Sequence, residues 1–220
     1  MSVLKRPFRQ EGDTNYCENN PLNKADYSGH ESNWLGRRAS KSVLLNAVDN
    51  LAFITRVKHV GGSAYDALRA LEEYNSDIVE SASDFDIPTA MLQSVIFREM
   101  ICYGFEDVIF DGIKPDASVG LAQIKPTTAI KAYQVVLGTP CPYSNSEMKQ
   151  MLFNPQTSIY YAAMVLKMEA TNLGYTDTRN LNRHEIQEII TKYNGSTLYG
   201  EATILYYDAF QECLAEDALY

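Results

Sequence analysis

From Ser42 onward apolar residues recur with a helical period. Leu44, Ala47, Val48, Leu51 and Ile54 share one face and stop at Gly61-Gly62, which predicts a first helix. A second follows Ser63 and Asp66, placed as a capping box, with Ala67, Leu68, Leu71, Tyr74 and Ile78 on its apolar side. In DFDIPTAMLQSVIFREM, Asp86 is placed to cap a third helix that runs toward Met100, and Pro88 falls in the first turn, where its missing N–H costs nothing. Residues 104–118, GFEDVIFDGIKPDAS, break the period with Gly, Pro and four acids, and predict a loop or short hairpin. Helical spacing resumes at about Thr127 and stops at Gly138. Another helix opens at Asn154-Pro155, faces Ile159, Ala162, Ala163 and Leu166 inward, and stops near Gly174. The next opens at Asn182 with Glu185 in capping-box position, buries Ile186, Ile189 and Ile190, and ends at Gly195. The last covers about Tyr199 to Leu214, with Ala202, Leu205, Ala209, Phe210 and Cys213 inward.

Residues 1–40 carry no such period and are rich in Asn, Asp, Ser, Arg and Gly, so they read as a polar arm. Residues 41–220 then form one mainly α domain, its first two helices (41–80) packed on a core at 85–214. With 45% hydrophobic residues, 15 Tyr and 8 Phe in 220 positions, the chain can fill a core of that size.

Charge and motif spacing remove several function classes. A net charge of −9 argues against nucleic-acid binding, which depends on clustered Lys and Arg. No apolar run approaches the roughly 20 residues that span a bilayer, so no integral membrane segment is expected. The start, MSVLKRPFRQEGDTNYCENN, lacks the apolar stretch of a secretory signal; the expectation is synthesis in the cytoplasm and, for work outside it, non-classical delivery. Cys17, Cys102, Cys141 and Cys213 form no CxxC pair and are expected as buried thiols. His30, His59 and His184 show no HExxH spacing, and no metal or cofactor is expected.

One position stands out chemically. Leu92, Val95, Ile96 and Glu99 fall at i, i+3, i+4 and i+7, so a carboxylate shares the face that buries apolar residues. Desolvation favours the protonated carboxyl, and a Glu that keeps its proton near neutral pH can donate it to a leaving group. Alternatively Glu99, near a helix end, reaches water or pairs with Arg98 or a neighbouring helix; the residues alone leave both open.

SVIFREM with Glu99, GLAQIKPTTA (120–129), NPQTSIYYAAMVL (154–166) and TKYNGS (191–196) follow one another in an order that resembles the lysozyme-like group of soluble lytic transglycosylases and goose-type lysozymes. The likeness covers roughly residues 85–196. It implies a lysozyme-like helical domain with a short irregular or β-hairpin segment beside the active-site cleft. The implied activity is glycosidic: a muramidase that cleaves the β-1,4 bond between N-acetylmuramic acid and N-acetylglucosamine in peptidoglycan, or a lytic transglycosylase giving anhydro products. In that likeness Glu99 is the general acid, Gln123 and Ile124 belong to the groove wall that touches sugar, Tyr193 lies beside the catalytic carboxylate and Asn194 lines the sugar site.

The chain also departs from the group. Met100 stands where Ser usually follows the catalytic Glu, Ala122 replaces Met in the Gly-Leu-Met-Gln element, and Lys125 occupies the neighbourhood where goose-type enzymes tend to carry an acid. A lysozyme-like domain that binds glycan or a partner without cutting is therefore a competing reading, whereas a helical adaptor leaves the ordered motifs unexplained. An inverting hydrolase needs a second carboxylate roughly 6.5–9.5 Å from the acid, and a transglycosylase does not. Asp116 is the first candidate for that base and Asp111 the second, in a segment that also holds Glu106 and Asp107; its length favours the hydrolase. EF-hand spacing is absent there. The implied partners are peptidoglycan glycan strands. For delivery, a phage lysin and an injected antibacterial effector with a cognate immunity protein are the two options; the acidic charge gives no steering toward an anionic wall, which favours injection.

Overall fold

A computed structural model describes residues 64–102 and 116–217. The polar arm, the first predicted helix and most of the irregular segment, Asp111 included, lie outside the described residues. Among the described residues the chain is mainly α, as expected, with eight helices: α1 (Ala64–Glu73), α2 (Asn75–Asp84), α3 (Thr89–Cys102), α4 (Pro126–Leu137), α5 (Asn145–Leu152), α6 (Pro155–Asn172), α7 (Arg183–Asn194) and α8 (Thr197–Asp217).

Two helices form the centre. Every side chain of α3 from Ala90 to Phe97 is buried, so this helix is enclosed on all sides rather than along one stripe. It is packed by α1, α2, α6, α7 and α8. In α6, Ile159 and the run Tyr161–Leu166 are buried, and α2, α4, α5 and α7 also pack on it. None of the described helices is long and apolar enough to cross a membrane.

The punctuation of the later helices follows from capping chemistry. Asn154 accepts from the Thr157 N–H (2.9 Å) with Pro155 behind it, which starts α6. Asn182 and Glu185 exchange side-chain and backbone bonds as a capping box at α7. Gly138 and Gly195 end α4 and α7 in the left-handed conformation.

Five expectations change. The single helix expected from Ser63 to beyond Ile78 is two, α1 and α2, divided at Tyr74 (φ −99°, ψ 15°). Asn75 and Ser76 favour local backbone bonds over helix continuation, while the apolar face still buries Ala67, Leu68, Leu71 and Ile78. Asp86 does not cap α3: it takes φ 53°, its carboxylate pairs with Arg179, and its carbonyl accepts from Thr178 Oγ1. The Pro88 carbonyl starts that helix by accepting from Met91 N (3.0 Å). α5 was not expected, although Ser144 and Glu147 form a capping box ahead of the buried Met148 and Leu152. Leu205 is 39% exposed rather than inward, because it lies about 100° around α8 from Tyr206, the centre of the buried stripe. The Cys213 side chain lies outside the described residues, and the Cys102 and Cys141 thiols are half-buried.

Candidate active site

Where the enclosed part of α3 ends, polar chemistry begins. Arg98, Glu99 and Met100 are the first half-buried residues after the buried run. Glu99 stands in the last turn of α3 and is half-buried. Tyr199 Oη donates to Glu99 Oε1 at 2.6 Å.

Tyr199 comes from the first turn of α8, and the α7–α8 corner explains its position. Gly195 turns the chain with φ 83°, and Gly200 lets α8 lie hard against α7: a Cβ there would come within 1.9 Å of Thr191 Oγ1. This close crossing brings Tyr199 to the Glu99 carboxyl and leaves Tyr193, near the end of α7, close enough to feel its charge. Burial pushes the Tyr193 phenol well above its ordinary pKa, and the Glu99 charge adds to the effect. For Tyr199 the shift is also upward, from burial first and then from Glu99 and Tyr193, with Arg98 opposing it. Both phenols therefore remain neutral donors through the ordinary pH range.

The turn after the acidic segment is built by several close contacts. Val119 and Ile124 bridge in antiparallel fashion through two 3.1 Å backbone bonds. Gly120 at the start of the turn has φ 76°, and a Cβ on it would meet Leu152 O at 1.9 Å. Gln123 is left-handed at φ 48°, and its Nε2 donates to Gly120 O (3.0 Å). Ala122 N donates to Ser158 Oγ on α6 (3.0 Å), and Ala122 O accepts from Tyr193 Oη on α7 (2.7 Å). The turn is thus gripped from one side by the Asn-Pro helix and from the other by the Tyr-Asn-Gly helix end.

The remaining candidates fall as follows. Ile124 is 3% exposed, so its side chain faces the core and only its backbone lies along the turn. Asn194 is the exposed last residue of α7. Asp116 is exposed, and both its oxygens are engaged: Oδ1 accepts from Thr127 N (3.1 Å) and Oδ2 from Thr127 Oγ1 (2.8 Å), which caps the first turn of α4. Ala122 has no exposed side chain, and Met100 packs on the core, so neither departure from the group's pattern alters an exposed polar group. His184 lies on the surface beside Glu188. No cluster of metal-ligating side chains occurs among the described residues.

Two residues escaped the sequence reading. Tyr199 could have been found as a hydroxyl on the inward stripe of α8, at i to Ala202 and Tyr206, six positions after Tyr193. Ser158 carries no sequence signal beyond its place in the Asn-Pro helix. The arrangement offers one half-buried carboxyl with a phenol partner, and a backbone turn tied to Tyr193. Compared with known proteins, the chain matches no family model, no curated protein and no solved structure.

Proposed function

We propose that this protein is a glycosidase that cleaves the β-1,4 link between N-acetylmuramic acid and N-acetylglucosamine in peptidoglycan, with Glu99 as the proton donor. The observation that carries the reading is a set of bonds at the ordered motifs: Tyr193 donates to Ala122, Ser158 accepts from Ala122, and Glu99 accepts from Tyr199, six positions beyond Tyr193. Protonating a glycosidic oxygen calls for one carboxyl in a partly dry setting, with neutral hydroxyl and amide groups nearby that bind acetylated sugars without adding charge. Tyr193, Tyr199 and Gln123 are of that kind. Gln123 holds a left-handed backbone that glycine would adopt with less strain, and a sugar contact gives a reason to keep the amide there.

Two product types follow from one acid. With Asp116 as base the reaction is hydrolytic and leaves reducing ends; without a second carboxylate, the muramyl hydroxyl attacks and leaves anhydro ends. Engagement of both Asp116 oxygens by Thr127 favours the second route.

Mass analysis of fragments released from purified sacculi tests activity, residue and product type together. The wild type is expected to release disaccharide-peptides and Glu99→Gln to release them about 10²–10⁴-fold more slowly. Full release by a folded Glu99→Gln protein overturns the assignment. Tight binding of the wild type to sacculi without release identifies a non-cutting binding domain instead.

A further inference from the structure

α8 meets the end of α3 one residue at a time. Phe97 packs edge-on against Tyr206 (4.9 Å between centroids, 76°) and Phe210 (5.8 Å, 82°). Arg98 sets its guanidinium carbon 5.8 Å from the centre of the Tyr199 ring, and its charge also lowers the Tyr206 phenol against the upward push of burial. Glu99 accepts from the hydroxyl of the same Tyr199. One phenol thus carries a cation over its ring and a carboxyl at its oxygen.

We propose that Arg98 is a positioning residue for the reaction: through Tyr199 it fixes the orientation of the Glu99 carboxyl and steadies the carboxylate left once the proton has been given up. A cation over an aromatic face draws on the ring electrons and makes the hydroxyl a stronger donor to a carboxylate. The direction agrees with the Arg98 charge, which lowers the Tyr199 pKa while every other influence raises it.

The position is costly in packing terms. Arg98 Nε is buried and finds no hydrogen-bond partner among the described residues. A side chain chosen only for packing at this half-buried site would be Met or Leu, which would leave no N–H unpaired. Retention of the guanidinium is accounted for by what its charge does to Tyr199 and Glu99. The titratable groups that face this pair among the described residues are Tyr193 from α7 and Tyr199 and Tyr206 from α8, with Cys102 one turn along α3.

The inference rests on Glu99 being the acid, so its test reads the ionisation of Glu99 itself and not fragment release. Carboxyl-stretch infrared spectra, taken against Glu99→Gln across pH, give the titration of this one group. Arg98→Met is expected to move that titration upward by about one pH unit or more, with thermal stability held or raised. Arg98→Lys keeps the charge but not the guanidinium, and is expected to move it less. Tyr199→Phe keeps the ring and loses the donor, and is expected to move it in the same direction as Arg98→Met. If folded Arg98→Met and Tyr199→Phe both titrate at the wild-type pH, or if Arg98→Lys and Arg98→Met lose stability alike without a shift, Arg98 is a packing residue. Should Glu99→Gln retain cutting while Arg98→Met still shifts the titration, the glycosidase reading fails and the coupling stands.

Discussion

The hydroxyl of Tyr193 donates to the carbonyl of Ala122, 71 residues earlier in the chain, at 2.7 Å. This bond closes the turn onto α7, and its removal leaves the carbonyl of a buried residue without its donor. Tyr193→Phe is expected to lower stability by about 1–3 kcal/mol in urea unfolding. It should also reduce glycan cleavage by more than the fold loss explains, because the turn that carries Gln123 loosens. Wild-type stability would place the bond's acceptor in water.

Gly120 and Gly138 have nearly the same left-handed φ, 76° and 67°, in different surroundings. A Cβ at Gly138 meets nothing within 4 Å, whereas one at Gly120 runs into the Leu152 carbonyl at 1.9 Å. Gly138→Ala is expected to cost about 1 kcal/mol from backbone strain, and Gly120→Ala about 3 kcal/mol or more, since strain and clash add. Thermal melts of the two variants side by side read the difference directly.

Gln123→Gly separates stability from binding at a single position. Relief of the left-handed backbone gains about 1 kcal/mol, and loss of the side-chain bond to Gly120 costs about 0.5–1.5 kcal/mol, so the melting temperature should hardly move. Affinity for glycan fragments, measured by calorimetry on a Glu99→Gln background, is expected to fall. Unchanged affinity removes Gln123 from the sugar site.

The helices and their ends were legible where chemistry is local. Asn154-Pro155, Asn182 with Glu185, and Gly138 and Gly195 act within one turn of themselves, and their helices begin and end where the residues indicate. The misses are tertiary or short. Asp86 is drawn off its cap by Arg179 and Thr178, 93 and 92 positions away, and the eight residues of α5 are too few to show a period. Glu99 was visible because a lone acid on an apolar face is a local pattern, but its partner Tyr199, 100 positions downstream, is not.

Buried phenols predict how the fold fails in base. Tyr161, Tyr193, Tyr199 and Tyr206 all have raised pKa values, Tyr206 to about 12, chiefly from burial. An unfolded tyrosine ionises near pH 10. The folded state therefore holds these protons more tightly, and the stabilisation is complete below about pH 10 and lost as pH rises from there through the folded values. Phenolate absorbance and helical circular dichroism, followed together, should show a late group of tyrosines ionising only as the helices melt. Ionisation of all 15 with the helices intact would contradict the raised values of these four.

Tyr199 also imposes an order on the life of the molecule. Glu99 leaves the ribosome a hundred residues before the phenol that orients it, and at about 5–20 residues per second that is an interval of roughly 5–20 seconds. During that interval α3 has neither Tyr199 at Glu99 and Arg98 nor Tyr206 against Phe97. The nascent chain carries Glu99 without its phenol partner, and the carboxyl gains that bond only when α8 packs against the helix made long before it.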